Sequence, residues 1–168
     1  MSRADFPDIR KDSIMIALIQ RVGNAAVAVD GKQISQIGRG FLVLLGVFEG
    51  DTEKEMRLLA KKTANLRIFT DENDRMNLSP VQLLERGESC EILVVSQFTL
   101  CAECKGQNRP SFMAAAAPEE ANALYEKFVE ELRTVYGFTV GTGEFGASMQ
   151  VSLVNNGPVT IILDTEKL

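Results

Sequence analysis

The stretch IMIALIQRVGNAAVAVDGKQISQIGRGFLVLLGVF, Ile14 to Phe48, decides the fold. Ile14 to Val22 is a mainly apolar run with β-branched residues and a polar end at Gln20-Arg21, which reads as a strand. Ala25 to Val29 and Gln33 to Ile37 flank Asp30-Gly31. That dipeptide favours a tight type I′ hairpin, because both central residues need a positive φ. Phe41 to Phe48 is almost wholly apolar, the mark of a strand covered on both faces. The chain therefore opens on strands.

Downstream, Thr52-Glu53-Lys54-Glu55 reads as a capping box, with Thr52 as N-cap and Glu55 reaching back. Met56, Leu59, Ala60 and Thr63 follow at helical spacing, so the pattern predicts an amphipathic helix over residues 52–65. Leu66 to Phe69 reads as a short strand and Asp71 to Asp74 as a turn. Glu91 to Leu100 reads as another strand. Pro118-Glu119-Glu120 opens a second helix, with Pro in the first turn and acids at the positive end of the dipole. Leu124, Phe128, Leu132 and Val135 form its buried stripe, and Gly137 stops it. Two strands remain, Ser148 to Val154 and Val159 to Leu163, joined by Asn155-Asn156-Gly157-Pro158. The order ββ(β)–α–ββ–α–ββ predicts a mixed α/β class, a barrel-like sheet with two helices packed on it. Residues 1–14 read as an extension, and residues 15–168 as a single domain, since no linker or repeat divides them.

The chain has 168 residues, 45% of them apolar and 24% charged, enough for a core without metals or disulfides. Eighteen Lys and Arg against 23 Asp and Glu give a net charge of −5. That disfavours a dominant non-specific grip on nucleic acid while leaving room for a local basic patch. No apolar run reaches the roughly 18 residues of a membrane helix. There is no His. Its absence removes every Ser-His-Asp or Cys-His mechanism within one chain, and every His-ligated metal site.

Three cysteines, Cys90, Cys101 and Cys104, form an odd set, and no leader pattern precedes them. The expectation is a cytoplasmic protein with reduced thiols. Cys101-Ala-Glu-Cys104 has C-x-x-C spacing. It follows an apolar strand, however, and not the loop before a helix N-terminus that a thioredoxin-like pair requires. A zinc site would need two more ligands, and only Cys90 and carboxylates are at hand.

Three polar segments interrupt apolar structure. Ser96-Gln97-Phe98-Thr99-Leu100 puts two hydroxyls and an amide at the end of a buried strand, suited either to a polar ligand or to satisfying backbone groups. In Asn155-Asn156-Gly157-Pro158-Val159-Thr160 the Gly-Pro joint lies between strands, where Pro cannot donate to a ladder. Lys105-Gly106-Gln107-Asn108-Arg109-Pro110-Ser111-Phe112 is a loop with two cations, able to touch phosphates but without Walker spacing. The residues alone reach an α/β domain with three polar loops.

Read together, these segments resemble the D-aminoacyl-tRNA deacylases. Gln20-Arg21-Val22, Ser96-Gln97-Phe98-Thr99-Leu100 and Asn155-Asn156-Gly157-Pro158-Val159-Thr160 match the family's motifs in order. Leu66-Arg67-Ile68-Phe69, Arg109-Pro110-Ser111-Phe112 and Gly146-Ala147-Ser148-Met149-Gln150-Val151 are similar to its flanks. The resemblance covers roughly Met15 to Thr165. It implies a cytoplasmic editing hydrolase acting in translation quality control. Such an enzyme cleaves the ester between a D-amino acid and the 3′-terminal adenosine of tRNA, accepts glycyl-tRNA, and rejects the L-form. It implies a homodimer in which a cis Gly157-Pro158 from one subunit enters the other's pocket, its carbonyls excluding L side chains and Arg21 fixing their direction.

By the same resemblance, Ser96, Gln97, Phe98 and Thr99 line the opposite wall as the catalytic segment. Phe145 and Met149 flank the adenine, and Ala121 lies near the pocket. With no imidazole to activate Thr99, the implied chemistry is RNA-assisted hydrolysis with no covalent intermediate. Lys105 and Arg109 are the candidates for phosphate contact. No cofactor, metal, membrane or DNA partner is implied. Cys101 and Cys104 depart from the family, whose members are more often aromatic and acidic there. A subfamily acting on mischarged L-alanine lacks the Ser and Phe of the first motif, so Ser96 and Phe98 point to the D-specific branch. The rival readings are a non-catalytic module binding the tRNA 3′ end, and a redox or zinc protein built on Cys101 and Cys104.

Overall fold

A computed structural model describes residues 14–168. The bulk of the expected extension, residues 1–13, lies outside the described residues, and Ile14 is already buried. In chain order the elements are β1 (Ile16–Val29), β2 (Lys32–Ile37), β3 (Gly40–Gly46), α1 (Glu53–Ala64), β4 (Phe69–Thr70), β5 (Met76–Leu78), α2 (Pro80–Glu85), β6 (Glu91–Ser96), α3 (Pro118–Thr134), β7 (Val140–Thr142) and β8 (Gln150–Asp164).

β1 organises the sheet. Along one edge it pairs antiparallel with β8, from Ile16↔Asp164 to Ala28↔Gln150. Along the other it pairs first with β3, from Ile16↔Gly46 to Val22↔Gly40, and then with β2, through the Asp30-Gly31 turn. Both turn residues have positive φ, 51° and 76°, as the type I′ reading requires. β6 adds parallel to β3 and β7 parallel to β6. The far edge returns toward β2. A Cβ on Gly141 of β7 would lie 2.4 Å from Ser35 Oγ of β2, so any larger residue would have to displace that hydroxyl. The result is a nearly closed, barrel-like sheet.

Alternation assigns the two faces. Phe41, Val43 and Leu45 of β3, with Ile92 and Val94 of β6 and Ala17 and Ile19 of β1, pack in one cluster with Met56, Leu59 and Ala60 of α1 and Leu124, Phe128 and Leu132 of α3. The intervening residues Leu42, Leu93 and Val95 join Val22, Val27 and Ile37 inside the barrel. The α1 capping box forms as read: Glu55 accepts from the Thr52 backbone N–H at 2.8 Å, and Thr52 Oγ1 accepts from Lys54 N at 3.2 Å.

The structure corrects the sequence reading at several places. Val135 is the exposed C-cap of α3 and not part of its buried stripe, and the short strands β5 and β7 are not among those expected. Among the described residues there are three α-helices, not two. α2 carries its own capping box between Ser79 and Gln82 with Pro80 in its first turn, and is too short to display a helical period. β6 stops at Ser96, and Phe98–Cys101 is a 3₁₀ turn. Of the strand expected over Leu66 to Phe69 only Phe69 is strand, in β4 (Phe69–Thr70). The last two expected strands are one, β8, interrupted by a bulge.

Candidate functional site

The bulge in β8 is the first unusual feature. Gln20 pairs with Thr160 and Val22 with Asn155, so the single residue Arg21 faces the four residues 156–159. Arg21 answers with its side chain, donating from Nε to the Asn156 carbonyl at 2.8 Å and from Nη1 to the Ile68 carbonyl at 2.6 Å. Gly157 lies in the bulge with φ +145°, and a Cβ there would meet Val159 Cγ2 at 2.7 Å and Val159 N at 2.8 Å, so glycine is required. The Gly157–Pro158 peptide bond is cis. Asn156, Gly157 and Pro158 are exposed, and Val159 turns back into the core.

The second feature is a cavity of about 650 Å³ beyond the carboxyl ends of β3 and β6. Ser96, Gln97 and Phe98 form one wall, and Phe112 with Ala115 to Ala117 another. Pro118 and Ala121 from the first turns of α3 form a third, and Phe145, Gly146, Ala147 and Met149 a fourth. The Gln97 backbone N–H donates to the Leu45 carbonyl at 2.8 Å, fixing where the chain leaves the sheet. Gln97 Nε2 then donates to Thr99 Oγ1 at 2.6 Å. Phe98 stands edge-on to Phe112, with centroids 5.1 Å apart and planes at 73°, an arrangement that aromatic quadrupoles favour. Phe98 remains 56% exposed, a large apolar surface held at the cavity's lip.

Phe145 is held from behind by Tyr125, 6.2 Å between centroids. The Tyr125 hydroxyl donates to the Val94 carbonyl at 2.8 Å, and burial pushes its pKa up to about 12, so it serves as a neutral strut. The first turn of α3 presents the positive end of its dipole to this cavity.

The structure thus gathers Ser96, Gln97, Phe98, Ala121, Phe145 and Met149 around one cavity, with Thr99 hydrogen-bonded to Gln97 beside it. It does not bring Gly157, Pro158 or Arg21 into that lining. Lys105 and Arg109 are exposed on a loop closed by a backbone pair between Glu103 and Ser111. Sequence reasoning assigned no part to Phe112, though its motif was noticed. The alanines Ala115 to Ala117 gave no signal, because small apolar residues announce a wall only once the cavity is known. Asn155 was noticed only as part of its motif and given no role, since its contacts depend on the register of the bulge.

The two cysteines of the C-x-x-C pair sit in different surroundings. Cys101 is buried, its thiol 3.4 Å from the Val47 carbonyl, and desolvation pushes its pKa up to about 12. Cys104 is exposed, and both thiols are free. Among the described residues no three His, Cys, Asp or Glu side chains gather as a metal site.

Comparison with known proteins follows the same segments. The sequence model of the family described as D-Tyr-tRNA(Tyr) deacylase matches residues 18–164. A D-aminoacyl-tRNA deacylase of Roseiflexus castenholzii is 58% identical over 151 residues, which cover 90% of this chain and 92% of that protein. A solved structure described as c-Myc DNA Unwinding Element Binding Protein is 44% identical and superposes with a TM-score of 0.78, covering 88% of this chain and 97% of that one. A probable eukaryotic D-amino acid tRNA deacylase shares the fold at 20% identity, with a TM-score of 0.76 over 90% of this chain and 99% of that one.

Proposed function

The chain belongs to the D-aminoacyl-tRNA deacylases, a family of ester hydrolases, and from that premise we propose how its residues divide the work. The 3′-terminal adenosine enters the cavity between Phe145 and Met149. The aminoacyl ester and its ammonium group rest against Ser96, Gln97, Phe98 and Thr99. Water attacks the ester carbonyl, the acyl–oxygen bond breaks, and the products are the free amino acid and tRNA with its ribose hydroxyl restored. The neighbouring ribose hydroxyl positions that water. The protein contributes orientation and fixed dipoles, with no covalent intermediate.

The observation that carries this reading is the pairing of Thr99 Oγ1 with an amide and not with a base. An amide activates no hydroxyl at neutral pH, and the sequence has no His to do so. The working unit is a homodimer. Gly157 and Pro158 are exposed and stand outside their own cavity's lining, so a second copy offers them to it. Exposed Val154 beside the bulge, and exposed Phe98 and Met113 near the cavity, supply apolar surface for such an interface. Seated there, the Gly157 and Pro158 carbonyls reject an L side chain by overlap and by desolvation. Glycine has no side chain to reject, so glycyl-tRNA is also a substrate. The enzyme acts in the cytoplasm, and Lys105 and Arg109 meet RNA phosphates. A net charge of −5 speaks against duplex DNA as the partner.

The test is amino acid release from matched D-tyrosyl-tRNA and L-tyrosyl-tRNA by the purified protein. Fast release from the D-form alone supports the reading. Equal release from both overturns the chiral filter, and release from neither, with tRNA still bound, leaves a 3′-end binding module.

A further inference from the structure

The four-residue bulge opposite Arg21 has lost its ladder hydrogen bonds to β1, so side chains must hold its shape. Arg21 holds its near side at the Asn156 carbonyl. The base is closed by a different residue. Asn155, the last paired residue before the bulge, folds its amide across to the first residues after it. Its Oδ1 accepts from the Val159 backbone N–H at 2.7 Å, and its Nδ2 donates to Thr160 Oγ1 at 3.1 Å and to the Val159 carbonyl at 3.3 Å. Thr160 Oγ1 also accepts from Gln20 Nε2 at 3.4 Å, which ties the same point to β1. One side chain therefore presents an acceptor and a donor across the base of the loop that holds Gly157 and Pro158.

We infer that Asn155 is a positioning residue for substrate discrimination: it sets the direction of the Gly157 and Pro158 carbonyls without touching the substrate. This rests on the reading of those carbonyls as the chiral filter. A filter that works by overlap is sensitive to displacements of about 1 Å, so opening the base of the bulge relaxes rejection more than it slows the chemistry, which happens on another segment. The half-buried amide needs both of its functions. Aspartate keeps the acceptor for Val159 N–H and loses the donor. Alanine loses both.

The experiment compares wild type, Asn155→Ala, Asn155→Asp and Pro158→Ala on D-tyrosyl-tRNA and L-tyrosyl-tRNA under single-turnover conditions, with folding checked by circular dichroism. In Asn155→Ala the ratio of D to L rates falls by roughly tenfold or more, the equivalent of one or two lost net hydrogen bonds, while the D rate changes by less than about threefold. Asn155→Asp falls between alanine and wild type. If Pro158→Ala loses discrimination and a folded Asn155→Ala keeps it, the inference about Asn155 is wrong and the filter stands. If Pro158→Ala keeps discrimination as well, the filter reading itself fails. Should Asn155→Ala not fold, Asn155→Asp decides alone, and an unchanged D to L ratio overturns the inference.

Discussion

The Gln97 side-chain amide donates to the Thr99 hydroxyl oxygen at 2.6 Å, across the first residue of the turn that follows β6. The bond holds the threonine in place and offers it no base. Thr99→Ala therefore removes one neutral hydrogen bond, and D-aminoacyl-tRNA hydrolysis is expected to drop by less than about tenfold. Removing a true nucleophile costs several orders of magnitude. A single-turnover rate on D-tyrosyl-tRNA separates the two, and loss of activity in a folded variant would establish a nucleophilic threonine.

Arg21 joins two segments distant in sequence, the bulge at Asn156 and the end of the Leu66–Phe69 motif at Ile68. Hydrogen bonds from a charged group contribute about 1.5–3 kcal/mol each, less where water competes. Arg21→Ala is expected to lower stability by roughly 2 kcal/mol and to weaken rejection of L-tyrosyl-tRNA. Arg21→Lys recovers little of either, because an ammonium cannot serve two carbonyls in the geometry of the planar fork. Guanidinium titration with an unchanged m value, beside the D to L rate ratio, reads both effects. Wild-type values for both variants would mean that Arg21 neither holds the bulge nor supports the filter.

Much of this was legible in the sequence, for local reasons. Asp30-Gly31 dictated its hairpin, Thr52 to Glu55 its helix start, and the apolar run from Phe41 a strand covered on both faces, which ends at Gly46, two residues short of Phe48. The elements that escaped depend on distant partners. The sequence reads as strand through Leu100, but the Leu45 carbonyl captures the Gln97 N–H and the chain then tightens into a turn. Gly157-Pro158 looks like the end of a strand. Pairing of β1 on both sides of it keeps β8 one element. Phe112 gained a role only when the fold set it against Phe98.

Asp51 gives the fold a pH dependence. Its Oδ2 accepts from the Phe48 N–H at 2.7 Å, while Oδ1 is buried with no hydrogen-bond partner among the described residues. Desolvation pushes its pKa up from 3.8 to about 7, aided by the Glu55 charge and opposed by the Phe48 N–H. The folded state thus holds a proton that the unfolded state has released, and this group's contribution to stability falls as pH climbs between those values. Asn mimics the protonated form. Asp51→Asn is expected to gain roughly 1–2 kcal/mol over wild type at pH 8 relative to pH 5, the linkage over about two pH units reduced by solvent screening of a partly exposed group. Denaturant curves at the two pH values measure it, and a gain independent of pH refutes the assignment.

The thiols divide sharply. Cys90 and Cys101 are buried, and desolvation pushes each up to about 12. Cys104 is exposed. In the native protein a thiol-specific disulfide reagent is expected to label Cys104 quickly and the other two only after denaturation. Cys104→Ser is expected to abolish the fast phase and leave deacylation unchanged. A fall in activity, or a second fast thiol in the wild type, would reopen a chemical role for the pair.

Lys105 and Arg109 project from the loop that the Glu103–Ser111 pairing closes, exposed on a chain of net charge −5. On the proposed reading, phosphate capture by so acidic a protein rests on local cations, and each phosphate neutralised on single-stranded RNA adds about 0.7 to the dependence of log K on log salt. Lys105→Ala and Arg109→Ala are therefore expected to flatten that slope by about 0.7 each, weakening binding at low salt while the single-turnover rate at saturating protein holds. A tRNA-binding titration across salt concentrations gives the slopes directly. If affinity falls but the slope is unmoved, the loop shapes the cavity entrance, most directly through Phe112 at its end, and the phosphates are met elsewhere.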